Sequence, residues 1–457
     1  MRGFSIRAAM VLAFLLAGSA RASAGKLTIE WDNGAKQVVP FEEPAPAERI
    51  TSNHWPTLHS GQTLLVPSGT YTLTLDLSGL HDVTIQWDGK GQKPLLKLTP
   101  GASNLVRLDA NSANITFDGF TVDAGQANAF KIEGKNLTFR NLDFTSCSDA
   151  FLAEGSIDGL TIENCTVTSD TALTSYFLWA GAGGATVQNV TVKHCTVPNS
   201  TRQHIVRLRF GTLKNVLFDN CDFGNKDRRK IDPQDDAKGV FTIQQGSGLT
   251  IKNCTIRDGG LGLGPLGGDD GANDKNAATA AVSDVSIDGC TFTGKVGVLI
   301  FPGTSNVTIR QCQFNLDWTD PNAGLGAMVD IAGSDNSHGW QRTVKDVRID
   351  SCKAASTTQL TRFLAIRGPV EGIRLLNNTF TAPRMVCGAY GVSIISAPDP
   401  QSITESTNNT WPDAAADGWA NGGVFNLGAD GTGTGHGFWS PAQWLALPQV
   451  KGDVFRN

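Results

Sequence analysis

The chain has 457 residues, with 38 Lys or Arg against 43 Asp or Glu and a formal net charge of −5. A balance this close to neutral provides no basic surface for nucleic acid, so no nucleic-acid partner is expected. Glycine is abundant at 51 residues, helix-period patterning is scarce, and no apolar run is long enough to span a bilayer, which predicts an all-β protein without a membrane span.

At the N-terminus, Arg2 and Arg7 precede the short apolar run 8–17, and Ala22-Ser23-Ala24 follows. A charged region, a short apolar core and a small-residue cleavage site predict a signal peptide over 1–24, cut after Ala24. The protein is therefore expected to be secreted or periplasmic. Residues 25–63 are read as an N-terminal cap, 64–411 as a repeat array and 412–457 as a C-terminal cap.

The array repeats one short sentence that ends on a fixed slot. Its copies include Gly159–Cys165 (GLTIENC), Asn189–Cys195 (NVTVKHC), Asn215–Cys221 (NVLFDNC), Gly248–Cys254 (GLTIKNC), Asp284–Cys290 (DVSIDGC), Asn306–Cys312 (NVTIRQC) and Asp346–Cys352 (DVRIDSC). Phe120, Leu142 and Asn378 fill the slot in three further copies. Within each copy apolar and polar residues alternate, as in a strand with one buried face. The shortest slot spacing, Phe120 to Leu142 and Cys290 to Cys312, is 22 residues, which suits one coil of short strands and tight bends. Longer spacings put their surplus into loops.

Stacked coils pair strand on strand in parallel, so the slot cysteines should form an internal column about 4.8 Å apart. Parallel Cβ vectors do not suit a relaxed disulfide, and free buried thiols are expected there. Cys147 and Cys387 lie outside the column. No Cys-x-x-Cys or clustered His points to zinc. In the tail, Ser440-Pro441 predicts a capped short helix, and the whole C-terminal segment should cover the last coil.

These repeats resemble the right-handed parallel β-helix of the pectin-lyase-like superfamily, over roughly Leu64 to Trp411, and the segment 61–71 resembles the opening coil of secreted β-helix enzymes. The resemblance implies a single right-handed parallel β-helix and a carbohydrate-active groove on one sheet face; it is far less specific for activity.

A second, more variable strand precedes each sentence. Its outward positions are Lys131, Glu133, Glu154, Trp179, Arg207, Arg209, Thr242, Gln244, Asp330 and Arg367. The middle rungs are densest in cations: His204, Arg207 and Arg209, then the loop 225–230, then Lys238. Such a groove in an acidic protein suits an anionic polysaccharide. Lyases of uronate polymers neutralise the carboxylate and remove the neighbouring C5 proton. His204, Arg207, Arg209, Lys238 and Tyr176 are the candidate catalytic residues. Lys131, Glu133, Glu154, Trp179, Gln244, Asp330 and Arg367 are the candidate substrate-binding residues. The bland alternative is salt-bridged surface decoration. Two other activities remain open: a glycoside hydrolase using Glu133 and Glu154, or a uronate epimerase. A non-enzymatic carbohydrate-binding or structural protein is the third class. The pieces of a polygalacturonase-like pattern, Ser148-Asp149, Asp269-Asp270 and Gly435-His436-Gly437, are not at rung spacing. Asp269 and Asp270 lack acidic partners, so Ca2+ is not supported; no metal or cofactor is expected, and the protein is taken as a monomer.

Overall fold

The computed structural model describes residues 18–23, 26–31, 36–40, 47–50, 55–168, 175–181, 184–198, 204–224, 240–257, 259–265, 279–294, 297–316, 326–335, 340–356, 361–381, 395–396, 400–412, 425–426, 438–439 and 441–456. Three long sheets of 14, 16 and 14 strands stack coil upon coil among these residues. One coil shows the plan. A variable strand, Leu178–Ala180, precedes the sentence strand Thr186–Lys193, and a short strand, Thr196–Val197, follows the slot. The next coil repeats it as Val206–Leu208, Thr212–Asp219 and Asp222–Gly224. Each strand pairs in parallel with its counterpart: Val190 faces Val216, Val216 faces Leu249, and Leu249 faces Val285. We call the sheet of sentence strands the first, the sheet after the slot the second, and the sheet of variable strands the third.

The sentence begins and ends on residues with left-handed backbone. In one copy these are Asn189 at φ 58° and His194 at φ 55°; in the next, Asn215 at φ 53° and Asn220 at φ 54°. Asn tolerates this region better than most residues, which explains why it recurs at both places. The opening asparagines also bond between coils: Asn136 Nδ2 donates to Asn114 Oδ1 at 2.9 Å, and Asn114 Nδ2 to Asp82 Oδ1 at 2.8 Å. Gly159 replaces Asn at φ 88°, where an added Cβ would lie 2.8 Å from Asn136 Oδ1. The closing left-handed residue turns the chain from the first sheet into the second and points the slot residue inward.

Every slot cysteine from Cys165 to Cys352 is buried and unbridged, as is Cys147. Thiols donate to nearby carbonyls, for instance Cys195 Sγ to Lys193 O at 3.3 Å. Burial pushes the Cys147 and Cys195 thiols above their ordinary range. Stacked phenylalanines fill much of the remaining core: Phe117 on Phe139 at 5.8 Å, Phe130 on Phe151 at 5.5 Å and Phe292 on Phe314 at 4.9 Å.

Above Cys352 the slot column changes chemistry. Asn378 Oδ1 accepts the Cys352 N–H at 3.0 Å, Asn409 Oδ1 accepts the Asn378 N–H at 2.8 Å, and Asp453 Oδ1 accepts the Asn409 N–H at 2.9 Å. Asp453 Oδ2 also accepts from Ser406 Oγ at 2.6 Å, Trp411 Nε1 at 3.0 Å and Trp444 Nε1 at 3.1 Å. Trp444 belongs to the helix Pro441–Leu445, and Val454–Arg456 pairs with Thr410–Pro412. Buried polar side chains thus replace thiols at this end, each satisfied by its neighbour.

Strand Gly18–Ser23 pairs antiparallel with Lys26–Trp31, which pairs with Lys36–Pro40. The first of these overlaps the end of the expected leader, whose residues 1–17 lie outside the described residues. Cys387, Asp269, Asp270 and Gly435-His436-Gly437 also lie outside them.

Candidate functional site

The third sheet has an unusual start to its rungs. Two consecutive residues are fully buried in each: Ala150 and Phe151, Phe177 and Leu178, Ile205 and Val206, Val240 and Phe241. Because both side chains turn into the core, alternation is broken, and residues before and after the pair face the outside. Asp149, Tyr176 and His204 each stand two residues before Phe151, Leu178 and Val206, at one place in successive rungs. After the pair, Leu152, Trp179, Arg207 and Thr242 stack in register.

These positions converge. Arg207 Nη1 donates to the Tyr176 hydroxyl at 2.9 Å, and its guanidinium lies 6.0 Å from the centre of that ring. The Arg209 guanidinium lies 5.9 Å from the ring centres of Trp179 and Phe210. Thr242 Oγ1 is 2.7 Å from His204 Nδ1. Tyr176, Trp179, His204, Arg207 and Arg209 thus lie on one patch, and Gln244 stands one rung from Arg209 by the register of Leu208 with Ile243.

Their exposure differs from expectation. His204 is 1% exposed, Arg207 7% and Gln244 0%, whereas Tyr176, Trp179 and Arg209 are half-buried. The expected open strip of cations is thus two layers. Tyr176, Trp179 and Arg209 reach solvent, and His204, Arg207, Thr242 and Gln244 back them. Arg207, expected on the open outer face, is consequently a packed residue.

Asp149 was missed as a site residue. Its Oδ1 accepts the Tyr176 N–H at 2.9 Å, and burial raises its carboxyl above the usual range although the Tyr176 amide opposes this. It anchors the backbone that carries the phenol. Its offset from Phe151, equal to that of Tyr176 from Leu178, was the signal available in the sequence.

The remaining candidates sit apart in pairs. Lys131 Nζ meets Glu154 Oε2 at 2.6 Å, and Arg367 Nη2 meets Asp330 Oδ2 at 2.7 Å. Glu133 stands one rung from Glu154, by the register of Lys131 with Leu152. Lys238 and the loop 225–230 lie outside the described residues. Among the described residues no three His, Cys, Asp or Glu come together as a metal site would need, and no helix is long and apolar enough to cross a membrane.

Residues 176–328 match a family model described as "Right handed beta helix region". A search of curated proteins returned no match. Among solved structures, the chain is similar to the A-module of the mannuronan C-5 epimerase AlgE6 of Azotobacter vinelandii, at 14% identity and a TM-score of 0.37, covering 74% of this chain and 91% of that one. It is similar to the surface protein and adhesin PfbA of Streptococcus pneumoniae, at 15% identity and a TM-score of 0.34, over 76% of this chain and 83% of that one. It is also similar to the catalytic unit of a GH87 α-1,3-glucanase from Streptomyces thermodiastaticus, at 14% identity and a TM-score of 0.33, over 80% and 68%. The coil-on-coil parallel sheets, with the match of residues 176–328 to the right-handed β-helix model, show this chain to be a right-handed parallel β-helix.

Proposed function

We propose that the chain is a lyase of an acidic, uronate-containing polysaccharide, with the outer face of the third sheet as its groove and Tyr176 as the proton-transfer residue. The observation that carries this reading is the 2.9 Å bond from Arg207 to the Tyr176 hydroxyl. It fixes the phenolic oxygen and puts a positive charge beside it. Trp179, half-buried one rung from Arg207, offers a flat apolar face for a sugar ring, and Arg209 beside it offers a guanidinium for the carboxylate.

In the proposed cycle, the Tyr176 phenolate takes the C5 proton. The C5–H electron pair becomes the C4–C5 double bond, and the bond from C4 to the glycosidic oxygen breaks. The phenol so formed returns the proton to that leaving oxygen. Arg209 neutralises the substrate carboxylate, which makes the C5 proton more acidic, and Arg207 faces the charge on the tyrosine oxygen. An epimerase would share the first half and return the proton to the other face of C5. The hydrolase reading is disfavoured because Lys131 already holds Glu154.

The leader expected over 1–24 supports action outside the cytoplasm, where such polymers occur. N-terminal sequencing of the exported protein tests this; a start at Gly25 supports it. The reaction itself is tested by incubating the purified protein with a panel of alginate, pectate and glycosaminoglycan chains. Ultraviolet absorbance of the unsaturated ends reports elimination, and saturated products would replace the lyase by a hydrolase or an epimerase.

A further inference from the structure

Arg362 belongs to the third-sheet strand Thr361–Arg367 and stands two residues before the core residue Leu364, as Tyr176 does before Leu178. It therefore takes the same outward place in its rung. It is only 7% exposed, and its buried Nε has no hydrogen-bond partner. Burial drags the guanidinium down to about 10, with Asp330 opposing the fall and Arg367 adding to it. The Asp330 carboxylate is bonded to Arg367, at 2.7 Å through Nη2 and 3.3 Å through Nε. The Asp330 carboxylate is thus taken by Arg367, and Arg362 Nε is left without a partner. A buried cation left in this state is costly unless an anion completes it.

The outward register from Trp179 to Ala365 runs through Arg207, Thr242, Gly262, Leu299 and Asp330. Six steps at about 4.8 Å place the Arg362 rung roughly 29 Å from the Tyr176 rung along the same face. We infer that Arg362 is a second acidic-sugar subsite that takes a uronate carboxylate several units along the polymer held at Tyr176. This rests on the reading of the face as a groove for an acidic polysaccharide. The planar guanidinium fork suits a carboxylate, and a chain laid along the stack would reach it only when long enough.

The test is equilibrium binding of size-fractionated oligouronates, followed by calorimetry on the Tyr176→Phe protein so that turnover does not interfere. Long oligomers are expected to bind about tenfold tighter than short ones, the scale of one charge-assisted contact. Arg362→Met should abolish that gain and leave short-oligomer affinity unchanged, with a melting temperature equal to or above the parent's. Arg362→Lys, which keeps the charge and loses the fork, covers the case in which the Met variant does not fold, and should retain only part of the gain. A length-dependent gain that survives both substitutions, or no gain in the parent, overturns the subsite. Absence of unsaturated product with the length dependence intact would sink the lyase chemistry alone.

Discussion

Arg207 donates to the Tyr176 hydroxyl across one rung of the third sheet, 2.9 Å away, while Asp149 on the rung before holds the Tyr176 amide at 2.9 Å. The phenol is thus fixed by its oxygen and by its backbone from opposite sides. Preorganisation of this kind is what a proton-transfer residue requires.

Replacing Arg207 by Met should lower turnover about 100-fold, chiefly through kcat, because the charge beside the phenolic oxygen is lost. It should also cost about 1–3 kcal/mol of stability, since the residue is 7% exposed and its removal leaves a polar partner unmet. Steady-state kinetics and denaturant unfolding measure the two effects. An unchanged kcat would show that the bond is structural only.

Asp149→Asn keeps an acceptor for the Tyr176 amide and removes the carboxylate. Because burial raises this carboxyl in the folded state, its contribution to stability is full below the ordinary carboxylate range and is lost as pH rises through the raised value. The variant's melting temperature should therefore gain on the parent's between pH 4 and pH 8. A gap that shrinks over that interval would contradict the assignment.

The slot cysteines should be free and sealed. Thiol titration of the native protein is expected to find almost no reaction, and titration in denaturant should find all seven of the column, Cys165, Cys195, Cys221, Cys254, Cys290, Cys312 and Cys352. Detection of bridges among them would refute the column.

Asp453→Ala removes the acceptor shared by Ser406, Asn409, Trp411 and Trp444. A loss of about 3 kcal/mol or more is expected, with unfolding starting at the C-terminal coils. Hydrogen exchange localises it; uniform loosening along the stack would argue against a terminal lock.

Much of the fold was legible because each coil repeats one physical solution. Alternation marks the buried face, and Asn recurs at both left-handed positions, as at Asn215 and Asn220. The change from thiols to Asn378, Asn409 and Asp453 was harder to see: only the first of these stood within a recognised copy of the sentence. The site was legible as a set of residue types and rungs. Its layering was not, because strict alternation hides paired core residues such as Phe177 and Leu178. Those pairs put Tyr176 and Asp149 on the outer face, and nothing in the charge pattern showed that Arg207 would be buried there.

The central claim is that the Tyr176 hydroxyl moves the C5 proton of a uronate polymer. The most direct measurement is the rate of unsaturated product from that polymer with the parent protein and with Tyr176→Phe, at matched melting temperature. The account predicts product from the parent and a fall of about 100- to 10,000-fold in the variant, the range for loss of one acid–base group. Parent-level elimination by Tyr176→Phe, or cleavage that yields only saturated ends, would contradict it.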